Sequence, residues 1–204
     1  FVPKSGMINL TQNVVMAAPI LSLHTKRAHS KLAKAMVDTR KALTSKAAWT
    51  GKEVVYSGLS EAEQKALHEM IETGATQDLF LRELKGNMPG IGWTKYFRKA
   101  VDKSGIFMQI AEKFNRASTG LAAYRVGVNE KGMEHEKAVE FAKAVVYDSH
   151  FLYGQANLPS AMRGGDFQKI ARAAYTFRTF THNYLSAMSH LLINQGWAGK
   201  KAFA

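Results

Sequence analysis

Apolar residues in this chain recur every three to four positions in one segment after another. Nowhere do they alternate with period two over the length of a strand. A short helix is expected over 10–18, ended or kinked by Pro19. From Pro19 to about Thr44 the helical register passes through Leu23, Ala28, Leu32, Ala35, Met36 and Leu43. Lys and Arg crowd the rest of that surface. Ser60 stands three residues before Glu63, the spacing of a capping box, in which each residue's side chain accepts the other's backbone N–H. Leu67, Met70 and Ile71 then share one face, and Gly74 ends that helix. A further short helix begins at Thr76 and Leu79 and closes at Lys85-Gly86-Asn87.

In the second half, 93–100 and 105–125 read as two helices, the latter with Phe107, Ile110, Ala111, Phe114, Leu121 and Tyr124 on an apolar face. Residues 127–132 read as a turn. A helix over 134–146 follows, with Ala138, Phe141, Ala142 and Val145 inward. The stretch 149–165 is irregular yet apolar, and Phe151, Tyr153 and Pro159 are expected to be buried in it. Asp166 is placed to cap a last helix from Phe167 to about Asn194. The pattern predicts an all-α fold, an irregular multi-helix bundle of at least five helices with no sheet. Pro89-Gly90-Ile91-Gly92 reads as a hinge. It separates 1–88, basic helices plus an acidic helical hairpin, from 89–204, a C-terminal helical domain. Phe1 in place of an initiator Met, and an end at Lys200-Lys201-Ala202-Phe203-Ala204, suggest a segment of a longer polypeptide.

Charge changes this picture. The formal net charge is +12, and it is unevenly spread. Residues 1–59 carry 9 Lys/Arg against 2 Asp/Glu, 60–84 carry 2 against 6, and 85–125 carry 8 against 2. Such blocks suit a phosphate backbone, an anionic lipid surface or an acidic protein face. Lys26, Arg27, Lys31, Lys34, Lys95, Arg98 and Lys99 are the candidate nucleic-acid or anion contacts. If both blocks lie on one face they form a track for a phosphate backbone. The span from Met7 to Leu23 has no charged side chain, but its Asn, Gln, Thr and Pro suit a buried helix and loop better than a membrane segment.

Catalytic chemistry is not visible in the spacing. Cysteine is absent, which excludes disulfides and thiolate zinc sites. The histidines lack metal-ligand spacing, and Glu134-His135-Glu136 reads as a solvated triplet. Gly90-Ile91-Gly92 follows no strand, so it is not a phosphate loop. Gly164-Gly165 reads as a helix start rather than an anion site. Ser118-Thr119, beside Asn115-Arg116, has no base close in sequence. The aromatic run Tyr175, Phe177, Phe180 and Tyr184 beside Arg172 and Arg178 reads as core with a basic rim rather than a base-stacking surface. Neither a catalytic residue, a metal nor a cofactor is predicted.

Three motif groups in order carry a resemblance. The first is Leu59-Ser60-Glu61-Ala62-Glu63, Glu72-Thr73-Gly74 and Phe80-Leu81-Arg82-Glu83-Leu84. The second is Ala111-Glu112-Lys113-Phe114-Asn115-Arg116 and Leu121-Ala122-Ala123-Tyr124-Arg125. The third is Phe151-Leu152-Tyr153-Gly154, Asn157-Leu158-Pro159 and Met162-Arg163 before a Phe-rich helix. Over roughly 55–195 they resemble a helical region of phage large polyvalent proteins, the giant internal virion or ejection proteins. The resemblance implies a structural module packaged in the capsid interior or tail lumen and delivered with the genome into the host. It implies partners among other copies or domains of the same giant protein, portal or tail proteins, DNA and the host envelope. It assigns no catalytic residue. The alternative is a nucleic-acid-binding accessory module of a large phage virion enzyme, such as a packaged RNA polymerase.

Overall fold

A computed structural model describes residues 13–42, 58–75 and 95–150, with Thr11 and four single helical positions, Leu185, Met188, Ser189 and Ile193; for 95–109 it describes the backbone alone. A π-helical turn, Asn13–Ala17, leads directly into α1, Ala18–Ser22. Then come α2, Ala28–Ala42, α3, Glu61–Glu72, α4, Lys95–Lys131, and α5, His135–Ser149. No strand occurs among the described residues. The all-α class is therefore present, and the described residues alone supply the expected minimum of five helices.

Local chemistry accounts for most of the ends. Ser60 is extended, its Oγ accepts the Glu63 N–H at 3.4 Å, and Glu63 Oε2 accepts the Ser60 N–H at 3.0 Å. The predicted capping box is formed. Gly74 follows α3 at φ 81°, a left-handed conformation that costs glycine little. Gly132, at φ 60°, ends α4, and the Met133 N–H returns to the Gly127 carbonyl at 3.0 Å.

Three expected boundaries are corrected. Pro19 does not end the helical run; it lies in the first turn of α1, which follows the π-helical turn directly. The register from 19 to 44 is broken at 23–27, so α2 begins at Ala28. Neither the expected gap at 101–104 nor a turn beginning at 127 interrupts α4, which runs unbroken for 37 residues, about 55 Å. The proposed turn at 127–132 shrinks to its last residue. The expected positions Phe151, Tyr153 and Pro159, and the helices over 76–87 and 167–194, lie outside the described residues, save the four single positions.

α4 is the axis of the fold. Lys31 and Asp38 of α2 meet Glu130 and Arg125, so α2 runs antiparallel to it. Glu63 of α3 meets Arg125, while the Ala75 carbonyl beyond α3 meets Arg116, again antiparallel. A Cβ added at Gly127 would meet Ala138 of α5, and one at Gly120 would meet Val146, giving a third antiparallel neighbour. The π-helical turn and α1 run the other way, from Asn13 beside Thr119 to Thr25 beside Glu130. With neighbours on every side, 115–124 is buried on all its faces rather than along one stripe. Leu21, Leu32, Leu67, Met70, Leu121, Ala142 and Val145 belong to one hydrophobic cluster, which draws on both sides of the 88/89 boundary.

Candidate functional site

The candidate basic contacts separate into two groups. Lys26, Arg27 and Lys34 are exposed around the N-terminal half of α2. Lys31 is half-buried: its ammonium is paired with Glu130 and hydrogen-bonded to Thr25, so it is part of the fold rather than a free cation. Lys95, Arg98 and Lys99 occupy the first turns of α4, and their side chains lie outside the described residues. Because α2 is antiparallel to α4, Lys31 stands by residue 130, and the first turns of α4 are about 50 Å away at 1.5 Å per residue. The two groups do not form one compact patch. Two further cations of the 85–125 block, Arg116 and Arg125, are spent inside the molecule.

Arg116 is buried at the centre of α4. Its Nε and Nη2 each lie 3.1 Å from Glu112 Oε1, one helical turn back, and its Nη1 donates to the Ala75 carbonyl at 3.1 Å. A guanidinium suits this position because its donors diverge, holding a carboxylate on its own helix and a carbonyl on another. On the next turn, the Ser118 hydroxyl donates back to the Phe114 carbonyl at 2.7 Å. Thr119 Oγ1 donates to Asn13 Oδ1 at 3.1 Å and lies 2.9 Å from His150 Nε2. Asn13 and His150 are both buried. Burial holds the His150 imidazole well below its ordinary pKa, and the Arg116 charge adds to that effect. His150 is therefore neutral at pH 7.

A second polar tier surrounds the C-terminal half of α4. Arg125 donates from Nε to Glu63 Oε1 at 2.6 Å and from Nη1 to Asp38 Oδ2 at 2.7 Å, tying α3 and α2 to α4. Burial works to raise the Glu63 carboxyl, but hydrogen bonds from Arg125 and Ser60 outweigh it, and its pKa is lowered. Tyr124 Oη lies 2.9 Å from His135 Nδ1, and His135 Nε2 lies 3.4 Å from Glu69 Oε1. The Glu134-His135-Glu136 triplet is thus corrected. Its outer members are exposed, but the imidazole is half-buried between a phenol and a carboxylate.

Sequence reasoning missed the inner tier because its partners are remote in the chain. Thr119 finds an imidazole 31 residues away and an amide 106 residues away. The signal that was available is the run Asn115, Arg116, Ser118 and Thr119, four polar residues within five positions of one helix. The inner tier can fix register and holds a neutral imidazole, but it is closed to substrate: Asn13, Asn115, Arg116 and Thr119 are all wholly buried. Among the described residues no cluster of three His, Asp or Glu is arranged to hold a metal ion. Among them, too, no helix is long and apolar enough to cross a membrane. No family model, no curated protein and no solved structure matches the chain.

Proposed function

We propose that this chain is a structural helical segment of a bacteriophage internal virion, or ejection, protein, packaged in the capsid and delivered with the genome into the host. In this reading it contributes no catalytic group; its task is to fold, to yield during transit, and to fold again in one register. The observation that carries the reading is the composition of the core. Of 26 buried hydrophobic residues among those described, 13 are alanine, and ten polar or charged residues are buried beside them. A buried Leu, Ile, Val, Met or Phe side chain stabilises by about 1.5–3 kcal/mol, and alanine by far less. Buried ion pairs add little net stability. A polar tier does penalise a wrong register, because a slipped helix leaves its buried groups unpaired. Low stability joined to a specific register suits a chain that passes through a narrow channel unfolded and must recover its fold beyond it. The motif order Leu59–Leu84, Ala111–Arg125 and Phe151–Arg163 supplies the phage context. Mass spectrometry of purified virions and of infected cells tests this: the polypeptide is expected in the particle and then in the host cell fraction. Its absence from virions overturns the reading.

A second reading, the accessory module that binds nucleic acid, rests on a specific observation. Arg27, just before α2, and Lys34 and Lys41 on it recur every seven residues and are exposed. That spacing aligns them within a narrow stripe. Titration of the chain with duplex DNA at two salt concentrations distinguishes the readings. Neutralising Lys26, Arg27 and Lys34 would weaken binding to all sequences alike and flatten the salt slope. No binding at low salt removes this reading and leaves the structural one.

A further inference from the structure

His150 follows α5 with its ring sealed from water, at 1% exposure, and Asn13 of the π-helical turn is at 0%. Thr119 Oγ1 stands between them. A hydroxyl carries a single proton. Since Thr119 gives its proton to Asn13 Oδ1, it accepts from His150, whose Nε2 therefore carries the ring hydrogen. His150 Nδ1 is then the basic nitrogen, and it is buried with no hydrogen-bond partner. Among the described residues, no carboxylate stands beside it to neutralise a second ring proton. On α4, the charge that bears on it is Arg116, a cation already joined to Glu112. The π-helical turn and α1 contain no titratable side chain. The α3 carboxylates Glu63 and Glu69 face Arg125 and His135, on the turns of α4 beyond Thr119 and on the first turn of α5. On α5 itself, Asp148 is exposed.

We propose that the Asn13–Thr119–His150 chain is an acid-released latch: a solvent proton taken up at His150 Nδ1 frees the π-helical turn and α1 from α4 and α5. An imidazolium sealed beside a guanidinium is stable only once it reaches water. Residues 13–22 are the cover that must lift, because they are held to this end of the bundle through Asn13. The closed fold resists the proton, whereas a freed histidine accepts it near pH 6.5. Closure is therefore complete above that value and weakens as the pH falls below it. For one histidine excluded from protonation, the closed-to-open ratio drops by about thirtyfold between pH 7.5 and pH 5.

Hydrogen-exchange mass spectrometry of the full 204-residue chain reads the latch directly. After correction for intrinsic rates, protection of 13–22 is expected to fall by up to about thirtyfold from pH 7.5 to pH 5. In His150→Gln, protection at the two pH values should be alike. His24, which is also held below its ordinary pKa by burial and by Lys131, is the control: His24→Gln should keep most of the fall. An equal fall in His150→Gln, or unchanged protection of wild-type 13–22 at pH 5, overturns the proposal. Should His150→Gln fail to fold, NMR titration of the wild-type histidines decides. One imidazole must stay in its neutral Nε2–H form below pH 6 and gain its proton only as protection of 13–22 is lost. All seven histidines titrating near 6.5 with that protection intact also overturns it.

Discussion

Replacing Arg116 by methionine removes a guanidinium whose side chain is 1% exposed and leaves a Glu112 carboxylate that is 4% exposed. The volume is nearly kept, so the effect is electrostatic rather than a cavity. Breaking one half of a buried pair costs about 3–5 kcal/mol, because the remaining charge stays out of water. The Ala75 carbonyl also loses its donor. Against a domain stability of about 5–15 kcal/mol this is a large share of the total. With a urea slope of about 2 kcal/mol/M, the midpoint should fall by roughly 2 M. Urea unfolding followed by circular dichroism at pH 7 measures it. Repeating the series in 0.5 M salt should leave the difference nearly unchanged, since a buried pair is poorly screened. The double variant Glu112→Leu with Arg116→Met removes both charges and should recover at least half of the loss. It should remain below wild type, because the unpaired Ala75 carbonyl costs about 1–3 kcal/mol. A loss under 1 kcal/mol for Arg116→Met, or a double variant no more stable than the single, would refute a buried pair as the centre of this fold.

Other perturbations address the surrounding contacts. At Gly127 an added Cβ would lie 3.2 Å from Ala138 Cβ and 3.3 Å from its Cα, so Gly127→Val should force α4 from α5 and cost about 1–3 kcal/mol by thermal denaturation. At Gly120 the obstacle is the Met70 sulfur at 2.9 Å, the end of a flexible side chain, so Gly120→Ala should cost less than Gly127→Val in the same assay. Ser60→Ala should lower stability by about 1 kcal/mol through loss of the cap. Because the Glu63 carboxyl is held below its ordinary pKa, its contribution is present above the usual carboxylate range and is lost as the pH falls through its folded value. Acid titration of Arg125→Gln should show that loss at a higher pH than wild type.

Short-range chemistry was legible in the sequence. Ser60 and Glu63 are one helical turn apart, so their mutual cap depends on nothing remote, and it forms as read. Gly74 and Gly132 stop their helices because left-handed backbone is cheap for glycine alone. The absence of period-two alternation excluded a sheet, and the inward positions Ala28, Leu32, Ala35, Leu67, Met70, Ala138, Ala142 and Val145 are buried as their spacing required. What the sequence could not decide is how many neighbours a helix would have. Periodicity assumes one dry face and one wet face, and α4 has no wet face along 115–124. Residues that look like solvated polar positions, Asn115, Arg116, Ser118 and Thr119, are therefore interior. Gly127, which reads as the start of a turn, is a point of close approach to Ala138, and Gly120 is another, against Met70. The basic blocks show the same limit. Charge counting places cations in a segment, but only the packing of α2 and α3 on α4 pairs Lys31 with Glu130, ties Arg125 to Asp38 and Glu63, buries the Arg116–Glu112 pair, and sets the remaining candidates far apart along α4.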